Sequence, residues 1–68
     1  MKVLFFGVDC DGCDGTAFEF RFDNDRIAMD MVRNLKHFGA YVDQYGFLWH
    51  LIPNSLEVVK DDGSKIQF

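Results

Sequence analysis

The sequence has one proline, two cysteines and no apolar run near the ~18 residues that would cross a membrane. Its first apolar stretch, Val3 to Val8, stops at Asp9, too short and too abruptly acidic for a secretory signal. Two cysteines without an export signal predict free thiols in a reducing cytoplasm. Basic residues are also few. Seven Lys and Arg stand against eleven Asp and Glu, and the net charge of −4 repels phosphate backbones and anionic lipid. A partner with a positive surface fits that charge better than a nucleic acid or a membrane. Low-complexity tracts, linkers and internal repeats are missing as well, which excludes a disordered or solenoid chain.

What remains is one domain over residues 1–68, with 49% hydrophobic and 16% aromatic residues. That length is near the lower limit for a single self-sufficient core, whose net stability is roughly 3–5 kcal/mol.

The run Lys2 to Val8 is apolar on both alternations, the pattern of a central strand covered on both sides or of an especially well covered one. Between Thr16 and Phe22, Phe18, Phe20 and Phe22 share one face, and Ala17, Glu19 and Arg21 the other, which is a strand with one buried side. These two strands are expected to pair through the loop Asp9 to Gly15. A helix is predicted over about Asp25 to Phe38, with Asp23 or Asn24 as N-cap and Gly39 as the left-handed residue after its end. At 100° per residue Ile27, Ala28, Met31, Val32, Leu35 and Phe38 form its apolar stripe, while Asp30, Arg33, Asn34 and His37 face away. Strand chemistry resumes at Tyr41 and Val42, turns over Asp43 to Gly46, and continues through Phe47 to Ile52. A last hairpin joins Leu56–Lys60 to Ser64–Phe68 through Asp61-Asp62-Gly63. The order β-β-α-β-β-β-β predicts an α+β fold: a mostly antiparallel sheet of four to six short strands with one helix on one face.

The loop Asp9-Cys10-Asp11-Gly12-Cys13-Asp14-Gly15 gathers three carboxylates, two thiols and two glycines. As a calcium loop beginning at Asp9 it fails in register, because the sixth position is Asp14 instead of Gly and the twelfth is Phe20 instead of Glu. Asp9-Cys10-Asp11-Gly12 after an apolar strand resembles the first motif of the haloacid dehalogenase family, over four residues. That family requires a doubly wound domain with later catalytic strand ends, and a chain with one helix has no room for it. As a redox pair, Cys10 and Cys13 are followed by a strand, not a helix N-terminus, and Asp9, Asp11 and Asp14 disfavour the thiolate. A tetrahedral zinc site from Cys10, Cys13, His37 and His50 has a suitable ligand set, but the histidines lie thirteen residues apart on different elements. The plain reading is an acidic hairpin connection whose aspartates stay in water.

Eleven aromatic residues exceed what one helix on a small sheet can cover, so some are expected at the surface. Tyr41, Tyr45, Phe47 and Trp49 cluster around one turn. The tyrosines are the interface candidates, with Phe47 and Trp49 read as core. The acids group in two turns, Asp9, Asp11 and Asp14 in one and Asp61 and Asp62 in the other. If those turns share a face they offer a phosphate-like array to a Lys/Arg-rich surface. Otherwise the charges maintain solubility.

In size, acidity and aromatic content the chain resembles small phage-encoded inhibitors, including anti-CRISPR proteins, a likeness carried by no motif. It implies a protein partner with a basic surface, such as nucleic-acid-processing host machinery. The leading expectation is therefore a protein-binding inhibitor or adaptor acting through Asp9, Asp11, Asp14, Tyr41, Tyr45, Asp61 and Asp62. It needs no cofactor and is not an enzyme, since no nucleophile, base and orienting group assemble together. A zinc domain organised by Cys10 and Cys13, and a homodimer formed through strand edges or aromatics, are the alternatives.

Overall fold

The computed structural model of the chain describes residues 1–9 and 14–67. The elements are β1 (Lys2–Val8), β2 (Gly15–Arg21), α1 (Asp25–Phe38), β3 (Ala40–Val42), β4 (Leu48–Leu51), β5 (Glu57–Val59) and β6 (Lys65–Gln67). The expected α+β architecture is the one observed, with a single helix on an antiparallel sheet.

β1 is the hub. It pairs with β2 along all seven residues, from Lys2 opposite Arg21 to Val8 opposite Gly15. Its other edge is shared: Lys2 to Leu4 pair with Val59 to Glu57 of β5, and Gly7 and Val8 pair with Leu51 and His50 of β4. From Gly7 to Leu4 the sheet advances three positions, whereas from Leu51 to Glu57 the chain advances six, so β4 and β5 form one line interrupted by a three-residue bulge. Ser55 seals the interruption. Its Oγ accepts from Phe6 N (3.1 Å) and donates to Ile52 O (2.7 Å), while Ile52 N donates to Phe6 O (2.9 Å). Asn54, at φ 69°, supplies the left-handed residue that the bulge needs, a conformation that Asn tolerates. β3 then flanks β4, and β6 flanks β5.

The helix starts where Asn24 accepts from the amides of Arg26 and Ile27, and ends where Gly39, at φ 65°, donates back to Leu35 O. Asp25 in its first turn and Lys36 and His37 in its last complement the helix dipole. Ala28, Val32 and Leu35 are buried against Val3, Phe5, Leu56 and Val58. The odd positions of β1 therefore face the helix.

The even positions correct the expectation of a strand covered on both sides. Leu4 and Val8 are half-buried and Phe6 is exposed, because the one helix lies on the other face. On the helix side the sheet curls until Tyr41 of β3 stands edge-on to Phe5, Phe18 and Phe20, with ring centroids 5.7, 5.1 and 5.4 Å away. Gly7 makes room for this cluster. A Cβ there would meet Phe18 at 3.1 Å and Trp49 at 3.2 Å, the two rings whose centroids lie 5.5 Å apart.

Candidate functional site

The amphipathic stripe of α1 consists of two parallel ridges, one buried and the other reaching the core at Met31 but exposed at its ends. Ala28, Val32 and Leu35 enter the core, while Ile27 and Phe38 on the neighbouring ridge remain 54% and 71% exposed. Across from them Val42 and Leu48, directly opposite each other on the β3–β4 hairpin, are 58% and 42% exposed. The space between is a groove of about 700 Å³ along the edge where α1 meets the hairpin, with Met31, Leu35 and Tyr41 also lining it. Its charged and polar lining residues are Asp30 and Asn34, and no Lys or Arg lines it. Asp30 is held 3.4 Å from Arg33 on the exposed helix flank.

Asp43 fixes the wall formed by the hairpin. One carboxylate oxygen accepts from Tyr45 N (2.9 Å) and Phe47 N (3.0 Å), and the other accepts from Trp49 Nε1 (3.0 Å). The Trp49 hydrogen bond, joined by those backbone amides, holds the Asp43 carboxyl below its ordinary value of 3.8. This ties the turn to the aromatic cluster and leaves Tyr45 and Phe47 projecting, 75% and 65% exposed. Tyr45 is thus at the surface. Phe47, read as core, is exposed because it precedes β4 and belongs to the turn. Tyr41 is half-buried, its ring engaged with three phenylalanines.

The acidic turns lie at opposite ends of β1. Asp9 and Asp14 flank its C-terminal end, joined by Asp9 N to Asp14 O at 2.9 Å. Asp61 and Asp62 follow Val59, which pairs with Lys2 at the other end, about 20 Å away at ~3.4 Å per strand residue. The array expected from turns sharing one face is not formed by these four residues. Asp61 accepts from the Met1 amino group at 2.7 Å, and Asp62 accepts from the Ser64 hydroxyl and amide, which lower its pKa.

Cys10, Asp11 and Cys13 lie outside the described residues. The two candidate histidines belong to different layers: His37 is on the exposed side of α1 beside Phe38, and His50 shares its side of the sheet with Val8, away from the helix. Among the described residues no three His, Cys, Asp or Glu side chains converge as metal ligands.

The groove was missed from sequence because every apolar helix position was assigned to the core. The available signal was the width of the stripe, since the adjacent pairs Ile27-Ala28 and Met31-Val32 make two ridges, more than one small sheet can bury. Comparison with protein-family models, with curated proteins and with solved structures finds no match.

Proposed function

We propose that the chain is a small protein-binding inhibitor or adaptor whose contact surface is the α1/hairpin groove, and that its partner presents an apolar ridge flanked by Lys or Arg. The observation that carries this reading is the contiguous exposure of Ile27, Phe38, Val42 and Leu48 around a cleft of about 700 Å³. Apolar clefts of that kind, rimmed by polar residues, are how small domains seize an amphipathic segment. Along α1 the lining runs from Ile27 to Phe38, roughly 16 Å at ~1.5 Å per residue, the length of about three turns of a bound helix.

Charge complementarity selects the flanking residues. Asp30 in the lining is already paired with Arg33, so the preference comes from the net charge of −4: a basic segment is attracted and an acidic one repelled. In this scheme the turns at Asp9 to Asp14 and Asp61 to Asp62 act at range, raising the encounter rate and not forming the contact.

The test is a pull-down at low and high salt with three baits: the native chain, Phe38→Glu, and Asp61→Asn/Asp62→Asn. A partner lost with Phe38→Glu and retained with the turn variant, with a salt-sensitive association rate, is the expected outcome. A partner lost only with the turn variant would place recognition in the acids and overturn the groove. Phe38 is exposed, so circular dichroism should show the native fold in its variant.

A further inference from the structure

Among the described residues the outer edge of β2 is unpaired. Phe22 and Met1 exchange both backbone hydrogen bonds, at 2.9 and 3.1 Å, and Asp14 O accepts from Asp9 N, so the even-numbered residues of this segment bond to β1. By the alternation of an antiparallel ladder, the N–H and C=O groups of Gly15, Ala17, Glu19 and Arg21 point the other way. Among the described residues no other strand pairs with that edge. Natural edges are usually blunted by proline, lysine, a bulge or brevity. β2 has no proline, lysine or bulge and runs in unbroken register for seven residues, Gly-Thr-Ala-Phe-Glu-Phe-Arg, with Glu19 and Arg21 its only charges.

The charges on this strand are unbalanced within one chain. Arg21 lies directly opposite Lys2, a like-charge pair, while Glu19 is 3.4 Å from Lys2. Among the described residues Arg21 has no ion-pair partner. We infer that the edge of β2 pairs with β2 of a second copy, antiparallel about a two-fold axis at Phe20. That register places Glu19 opposite Arg21 of the partner and Arg21 opposite its Glu19, both as hydrogen-bonded pairs, since both residues direct their backbone groups outward. Phe20 meets Phe20 of the second copy on the helix side. Centring on Glu19 would oppose two carboxylates, and centring on Phe18 would leave Arg21 opposite Gly15, without a counter-charge. Within one copy the helix packs over β1 and β3. The overlap is short, Glu19–Arg21 of each β2 with Phe18 opposite Phe22 at either end, and it makes one continuous sheet through both copies. The inference is independent of the groove reading.

Sedimentation velocity from low micromolar to millimolar protein tests it, on the native chain, Glu19→Arg, Arg21→Glu and the double swap. The native chain is expected to dimerise with concentration, each single reversal to weaken association about tenfold or more, and the double swap to restore it. Amide exchange supplies a second readout, in which Glu19 and Arg21 become protected as concentration rises while Phe18 and Phe20 are protected throughout. A monomer at every concentration overturns the proposal. So does a dimer that ignores the β2 charges but is lost in Phe38→Glu, which would make the groove the self-contact.

Discussion

Ser55→Ala isolates the seal in the second edge of β1. The hydroxyl accepts from Phe6 N at 3.1 Å and donates to Ile52 O at 2.7 Å. Removing it does not strand every group it touches. Phe6 O keeps the amide of Ile52 at 2.9 Å, and Ile52 O keeps the amide of Ser55 at 3.2 Å. The one group orphaned is the Phe6 amide. A buried orphan costs about 1–3 kcal/mol, but Phe6 is 41% exposed and water recovers part of the bond, so about 1 kcal/mol is expected. In a domain of roughly 3–5 kcal/mol that is a quarter of the stability, and it lowers Tm by about 4–8 °C. Urea unfolding should show a reduced midpoint with an unchanged m-value, and amide exchange should accelerate at Phe6 more than at Leu4 or Val8. Ser55→Thr, which retains the hydroxyl, should lose less. An unchanged midpoint together with unchanged exchange at Phe6 would refute the assignment of Ser55 as the bridge.

Asp43 should make the hairpin acid-labile: its folded pKa is lowered, so its stabilisation is present above the ordinary value of 3.8 and is lost as pH falls through the folded value. Melting curves of the native chain and Asp43→Asn should differ near neutrality and converge in acid, with Trp49 fluorescence following the same transition; parallel curves would contradict this. Gly7→Ala forces a Cβ to 3.1 Å from Phe18 and 3.2 Å from Trp49, and overpacking of this kind costs about 1–3 kcal/mol. Urea unfolding and the near-ultraviolet dichroism of Trp49 should both register it, and a variant with native stability would show that the aromatic cluster is looser than described.

The elements were legible where local chemistry was redundant. α1 falls at Asp25–Phe38 as predicted because Asn24, Asp25 and Gly39 mark its ends and the apolar period fills its length. β2 was plain because three phenylalanines alternate with Ala17, Glu19 and Arg21. What the sequence did not disclose depends on three-dimensional supply and demand. The apolar run of β1 matches a strand covered twice, yet among the described residues one helix covers one face, so Phe6 is left outside. Ile27 and Phe38 have the period of core residues, but the sheet under α1 is filled by Ala28, Val32 and Leu35. The separation of the acidic turns was equally hidden. It follows from β5 pairing with the start of β1 and the first loop leaving its end, and long-range pairing is not written in any local window.

The divided edge of β1 also sets a timetable. β1, β2 and α1 are complete once Phe38 has been made, and they can associate as a hairpin under a helix. The strands that close the second edge of β1 begin only at Leu48. Any form in which residues 48 to 59 are undocked leaves Leu4, Phe6 and Val8 with open backbone groups at the centre of the sheet, where a second chain can bind in place of β4 and β5. That exposure ends when residues 48 to 59 pair with β1 and Ser55 closes the gap.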